Sequence, residues 1–144
     1  MIGASVSRRI LTERLRRAIK MKIAKMTEAD VHEHFWFTYW LIVINEDGFG
    51  AGMAGFKGVP NEAGEVEIGY GIDPEYQGKG YVTEAAKSLI GWAFQRNGCL
   101  SVLAPDTKRE NAASNRVLEK VGMHIYYESE DALSWRIDKA VKAV

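Results

Sequence analysis

An α/β domain with a mixed, mostly antiparallel central sheet flanked by helices is the fold class this sequence predicts, and three observations carry it. Apolar residues recur with a helical period over residues 8–26, 81–96 and 111–121. Between the first two lie three runs of strand character joined by tight polar turns, the pattern of an antiparallel meander. The full order reads α-βββ-α-β-α-ββ, with helices and strands interleaved in the second half. At 144 residues, with 47% hydrophobic and 26% charged, the chain reads as one folded domain over 1–144.

Residues 8–26 put Ile10, Leu11, Leu15, Ala18, Ile19, Ile23 and Met26 on one stripe, with Arg14, Arg16, Arg17, Lys20, Lys22 and Lys25 elsewhere. That is an amphipathic helix packed on one side. Thr27, with Asp30 three residues on, caps a short turn through Val31, His32, Glu33 and His34. Residues 36–44 are aromatic and β-branched and end at Asn45-Glu46-Asp47-Gly48, a strand and its turn. Trp36, Tyr39 and Trp40 are read as core and sheet packing, with room for one of them to line a pocket. A glycine-interrupted strand covers 50–59 and closes at Pro60-Asn61-Glu62-Ala63-Gly64. In 65–72, Val66, Ile68, Tyr70 and Ile72 alternate with Glu65, Glu67, Gly69 and Gly71, as in a strand with two unlike faces.

Then the period changes. Residues 81–96 turn Val82, Ala85, Ala86, Leu89, Ile90, Ala93 and Phe94 to one side of a helix that ends at Asn97-Gly98. A short strand at 100–104 precedes a helix at 111–121, stopped by Gly122. Residues 123–129 and 133–137 read as two last strands around Glu130-Asp131.

Composition excludes several classes. Lys+Arg and Asp+Glu are both 19, so the basic excess of a dedicated nucleic-acid binder is absent. Cys99 stands alone, which rules out an internal disulfide and reads as a small core residue. The longest apolar run, 36–44, is about half the ~20 residues of a membrane span, and no signal-peptide pattern opens the chain. A cytoplasmic protein with no membrane partner is expected. His32 and His34 have no third ligand in view, so no metal is expected either.

The chemistry concentrates in Gly71-Ile72-Asp73-Pro74-Glu75-Tyr76-Gln77-Gly78-Lys79-Gly80-Tyr81-Val82-Thr83. A strand ends, a glycine-bracketed loop follows, and a helix opens. Gly78 and Gly80 free the backbone to turn its amides into one concavity at a positive helix end, which suits a diphosphate. Lys79 and the Thr83 hydroxyl supplement that. A plain strand-to-helix turn is the alternative reading of the same residues. A Walker A loop would need Gly at 73 and Ser or Thr at 80, where Asp73 and Gly80 stand. Gly50-Ala51-Gly52-Met53-Ala54-Gly55 fits G-x-G-x-x-G, but Phe56-Lys57-Gly58-Val59-Pro60 opens no helix, as a dinucleotide site requires.

Two motifs in this order resemble the GNAT-superfamily N-acetyltransferases, in particular the RimJ/RimL-like branch. The first runs Glu67-Ile68-Gly69-Tyr70-Gly71-Ile72-Asp73-Pro74-Glu75-Tyr76-Gln77-Gly78-Lys79-Gly80-Tyr81. The second runs Asn111-Ala112-Ala113-Ser114-Asn115-Arg116-Val117-Leu118-Glu119-Lys120-Val121-Gly122. The likeness covers 36–137 and implies a cofactor-binding core at 65–122. It implies that acetyl-CoA, as co-substrate, lies in a splay between the strand ending near Ile72 and the one at 100–104, with pantetheine alongside Ile72. The pyrophosphate would rest on the amides of Gln77, Gly78, Lys79, Gly80, Tyr81 and Val82, and Asn111 would hydrogen-bond the pantetheine end. Asn111 is equally a helix N-cap, and the two roles are compatible.

The resemblance further implies an N-acetyltransferase, moving an acetyl group to a primary amine of a protein N-terminus or small molecule by direct attack. An alkyl ammonium of pKa ~10 needs a base before it attacks, and Glu67, ahead of Glu65, is the candidate. A solvated strand face is the other reading of both. Many superfamily members place a Tyr seven residues after the Asn to protonate the leaving thiolate. Here that residue is Leu118, so Ser114 is the donor this branch offers, with Tyr70 and Tyr126 behind it. Relatives also carry a first strand and helix ahead of the segment matched to 8–26. Their absence would leave a sheet edge open, and a homodimer whose partner completes the site is expected. An acyl-CoA-binding module without turnover is the alternative function. A nucleotide-binding domain using the same loop is a third.

Overall fold

The computed structural model describes residues 5–46 and 48–140. Its order is α1 (Glu13–Glu28), a 3-10 helix (Val31–Phe37), β1 (Tyr39–Ile44), β2 (Phe49–Phe56), β3 (Glu65–Ile72), a 3-10 turn (Pro74–Tyr76), α2 (Tyr81–Phe94), β4 (Ser101–Lys108), α3 (Ala112–Val121), β5 (His124–Glu128) and β6 (Ala132–Asp138). The strands form one six-stranded sheet in the order β1-β2-β3-β4-β6-β5. Every neighbouring pair is antiparallel except β3 and β4, which run parallel. The expected α/β class, element order and meander are all present.

Four boundaries differ, each for a local reason. The first helix starts at Glu13 because Thr12 caps it, its hydroxyl accepting from Leu15 N–H at 3.1 Å. Ahead of it, residues 5–7 bridge to β2: Gly50 N–H donates to Ser5 O at 2.8 Å, and Ser7 N–H to Gly50 O at 2.9 Å. Thr27 caps nothing, since its hydroxyl bonds back to Ile23 O within α1; Asp30 caps the next turn instead, accepting from His32 N–H at 2.9 Å. That turn carries Trp36 and Phe37, so the strand begins only at Tyr39. Packing overrides strand propensity there: Trp36 is buried against Phe56 and Trp92, with ring centroids 5.2 and 4.8 Å away.

The fourth difference shapes the site. β4 continues past Ala104 to Lys108 through a bulge at Pro105 and Asp106, where Asp106 takes φ +52° and its N–H donates to Ser134 Oγ at 3.0 Å. A bulge bends its strand and admits a proline, which has no N–H for the ladder. β3 and β4 accordingly pair only at Glu65–Ser101, Val66–Val102 and Glu67–Leu103. Beyond Glu67 the two strands part, and their facing edges are left without each other's hydrogen bonds. Ligands of α/β sheets bind at such carboxyl ends of parallel strands.

The core lies between the sheet and α2 and α3. Phe56, Leu118, Val102 and Cys99 are the largest fully buried side chains. On the opposite face α1 is held by Lys22, a buried cation in contact with Phe56 O (2.5 Å) and 3.6 Å from the centre of the Tyr39 ring. Desolvation first, then Lys25 and Lys57, lower its pKa to about 8. A lysine titrating lower folded than unfolded penalises the fold fully below its folded pKa, and the penalty fades as pH rises toward the unfolded value. Measured by urea unfolding against Lys22→Met, the native chain should gain about 2 kcal/mol on the variant between pH 7 and 9.5. An unchanged difference would contradict this account of Lys22.

Candidate active site

The loop after β3 is anchored before it turns. Asp73 is buried, and its carboxylate accepts from the Ser7 hydroxyl at 2.6 Å, Glu75 N–H at 3.0 Å and Arg9 Nη1 at 3.4 Å. These bonds hold its pKa below the usual carboxylate range, the Ser7 hydrogen bond most of all. The stability Asp73 contributes is therefore present above the unfolded carboxylate pKa and lost as pH falls through the lower folded one. The Gln77 amide closes the 3-10 turn onto Pro74 O at 3.3 Å. Gly78 and Gly80 then take φ +76° and +85°, a left-handed conformation that costs other residues ~1–2 kcal/mol.

Gly80 is the N-cap of α2, and no side chain caps that helix. The amides of Gly78, Lys79 and Gly80 donate to no turn or cap acceptor among the described residues, and the first-turn amides of α2 follow them. A Cβ at Gly78 or Gly80 would meet no protein atom within 4 Å. The result is a cradle of open amides at a positive helix end, fitted to a phosphate oxygen and closed by any side chain in place of the glycines. The acetyl-CoA expected from the sequence fits this donor set.

The cradle belongs to a cavity of about 310 Å³ bounded by the end of β3, the glycine loop, α2 and α3. β3 contributes Tyr70, Gly71 and Ile72; the loop and α2 contribute Tyr76, Gln77, Gly78, Gly80, Tyr81, Val82 and Thr83; α3 and its cap contribute Asn111, Ala113, Ser114, Arg116, Val117 and Lys120. Nearly all of the expected cofactor contacts thus line one space. Lys79 does not line it: its ammonium lies 5.5 Å over the Tyr76 ring. Asn111 is the N-cap, its side-chain oxygen accepting from Ser114 N–H at 3.1 Å, and it lines the cavity as well.

Ser114 of α3 and Tyr70 of β3 meet beside the cavity, Oγ to phenol oxygen at 2.7 Å, and the Tyr70 hydroxyl also lies 3.3 Å from Ser114 O. Burial raises the Tyr70 pKa, so it is a protonated phenol at neutral pH. Leu118, at the position where many superfamily members carry tyrosine, is buried in the core and has no proton to give.

Glu67 lies outside this cavity. It shares the other face of β3 with Gly69 and Gly71, and its carboxylate pairs with Lys57 Nζ at 3.1 Å. Glu65 pairs with Arg136 at 3.6 Å. On that face a second cleft of about 350 Å³ has Tyr39, Met53, Gly69 and Gly71 as its floor, and Arg9, Ile10, Thr12, Arg14, Leu15 and Ala18 as its wall. A Cβ at Gly69 or Gly71 would meet nothing within 4 Å. Tyr70, Gly71 and Ile72 line both spaces, so both cavities lie against the same end of β3. Among the described residues no group of three His, Cys, Asp or Glu side chains could hold a metal, and no helix is long and apolar enough to cross a membrane.

Six lining residues are not among the contacts expected from the sequence: Gly71, Tyr76, Ala113, Val117, Arg116 and Lys120. For the last two a signal existed. Ala113, Arg116, Val117 and Lys120 are spaced three and four apart, so one face of α3 carries both cations into the cavity.

The mixed sheet, the parallel β3–β4 pair that parts beyond Glu67 and the amide cradle define the fold class expected from the sequence. Residues 6–124 match the family model described as acetyltransferase (GNAT) domain, and the chain belongs to that family. It is 34% identical over 99 residues to the uncharacterized N-acetyltransferase YjdG of Bacillus subtilis (strain 168), a match covering 69% of this chain and 58% of that protein. The chain thus spans little more than half the length of this curated relative. Among solved structures, the ribosomal-protein-S5-alanine acetyltransferase from Vibrio fischeri shares the fold at a TM-score of 0.65 and 21% identity, covering 83% of this chain and 70% of that one. The RimL ribosomal L7/L12 α-N-protein acetyltransferase in complex with coenzyme A gives 0.55 and 19%, covering 64% and 57%.

Proposed function

We propose that the protein transfers an acetyl group from acetyl-CoA to a primary amine, as a RimJ/RimL-like member of its family. The observation that carries this is the common lining of the two cavities by Tyr70, Gly71 and Ile72, which brings a thioester on one side and an amine on the other to the same end of β3. The pyrophosphate lies on the amides of Gly78, Lys79, Gly80, Tyr81 and Val82, with Arg116 and Lys120 facing the remaining phosphate charge. That a similar fold, RimL, holds coenzyme A supports the same ligand here.

The amine nitrogen, deprotonated, attacks the thioester carbonyl carbon; the C–N bond forms, the C–S bond breaks, and the thiolate leaves with a proton. Tyr70 is the donor, and Ser114 holds its hydroxyl and relays the replacement proton from solvent. The ammonium proton goes to Glu67. Four residues, or about 13 Å, separate Glu67 from Gly71 along the strand, so that transfer runs through water. An amide near Ile72 stabilises the oxyanion.

The same proposal includes a cytoplasmic location and a homodimer, the latter supported by β1 and β5 at the open ends of the sheet. Light scattering that finds only monomer would remove the dimer. The activity is tested by thiol release from acetyl-CoA across a panel of amines. Amine-dependent release that falls in Glu67→Gln is expected. Binding of acetyl-CoA with no release for any amine would instead leave an acyl-CoA-binding module.

A further inference from the structure

Resting on the acetyltransferase reading, we infer that the acceptor is an amine that carries a negative charge of its own, recognised by Arg14 with Arg9 behind it. The second cleft has two charged residues in its lining, and both are arginines. Arg9 is already engaged, 3.4 Å from Asp73 and 3.5 Å from Glu75. Arg14 forms no ion pair among the described residues. The nearest carboxylate on the cleft's face of β3, Glu67, is taken up by Lys57.

Arg14 also breaks a local rule. It occupies the first turn of α1, where the positive helix end disfavours a cation, and although Glu13 shares that turn, no ion pair among the described residues takes up the Arg14 charge. Such a conflict is expected where a ligand supplies the missing charge. α1 as a whole carries the same sign of field, with six basic residues, Arg14 included, against two acidic ones in its sixteen. A cationic neighbour beside the reacting amine meets repulsion from Arg14 and finds no free carboxylate in the lining. An anionic group elsewhere on the acceptor meets a guanidinium fork.

The test compares kcat/KM for the amides of Ala-Asp-Ala, Ala-Asn-Ala and Ala-Arg-Ala, and for γ-aminobutyrate against butylamine. The acidic peptide should exceed the basic one by about tenfold, and Arg14→Glu should erase or invert that order. Arg16→Glu makes the same change of net charge on the same helix outside the cleft lining, and should keep the order. Preference within the peptides assigns an acidic chain terminus, and preference within the small amines alone assigns a small carboxylated amine; either sustains the inference. Equal kcat/KM throughout overturns it, as does an order that Arg16→Glu erases as fully as Arg14→Glu. Acetyl-CoA binding with transfer to none of the five would overturn the transferase reading itself.

Discussion

A Gly80→Val variant should stay folded, lose about 2 kcal/mol of stability to its left-handed backbone, and bind acetyl-CoA at least about a hundredfold more weakly. Both effects follow from one position. Gly80 takes φ +85°, which an L side chain adopts only under strain, and the space a Cβ would enter holds no protein atom. That space is the concavity of the amide cradle. Each amide bond to a charged oxygen is worth ~1.5–3 kcal/mol, so pushing the diphosphate off two of them accounts for the loss. Titration calorimetry with acetyl-CoA measures it. Binding within a few-fold of the native chain would mean that the cradle is only a strand-to-helix turn.

Tyr70→Phe should lower kcat by ~10²–10⁴ while leaving the affinity for acetyl-CoA nearly unchanged. Tyr70 lines both cavities, and the bond of its hydroxyl to Ser114 Oγ fixes the direction of the phenol. Because burial raises its pKa, the donor stays protonated well into the alkaline range, and activity should not fall until above the ordinary tyrosine range. Ser114→Ala should cost less, since water can take the hydroxyl's place. Stopped-flow single turnovers separate the chemical step from product release. A Tyr70→Phe enzyme with native single-turnover rate would pass the role to another donor.

What could be read in the sequence was local. The alternation in residues 65–72 gave β3 its bounds of Glu65–Ile72, because one face is buried and the other holds only Glu and Gly. The glycine loop was legible because left-handed turns and open helix ends leave a residue signature. What was not legible depends on partners distant in the chain. The splay arises from the β4 bulge and a parallel register of three residue pairs, neither of which a short strand at 100–104 announces. Trp36 reads as strand because its packing against Phe56 and Trp92 is tertiary. Arg116, Lys120 and Arg14 read as solvated helix surface, since a charge facing a cavity has the same sequence pattern as one facing water. Glu67 was legible as an exposed strand carboxylate, but its pairing with Lys57 across the β2–β3 hairpin was not.

The most direct test of the central claim is thermal unfolding of the native chain with saturating acetyl-CoA, beside NAD and ATP at the same concentration. At a hundred times its Kd a ligand adds about 2.7 kcal/mol, a rise of several degrees for a domain of this size. The account predicts that rise with acetyl-CoA and little or none with the two nucleotides. No rise with acetyl-CoA, or an equal rise with all three, would contradict it.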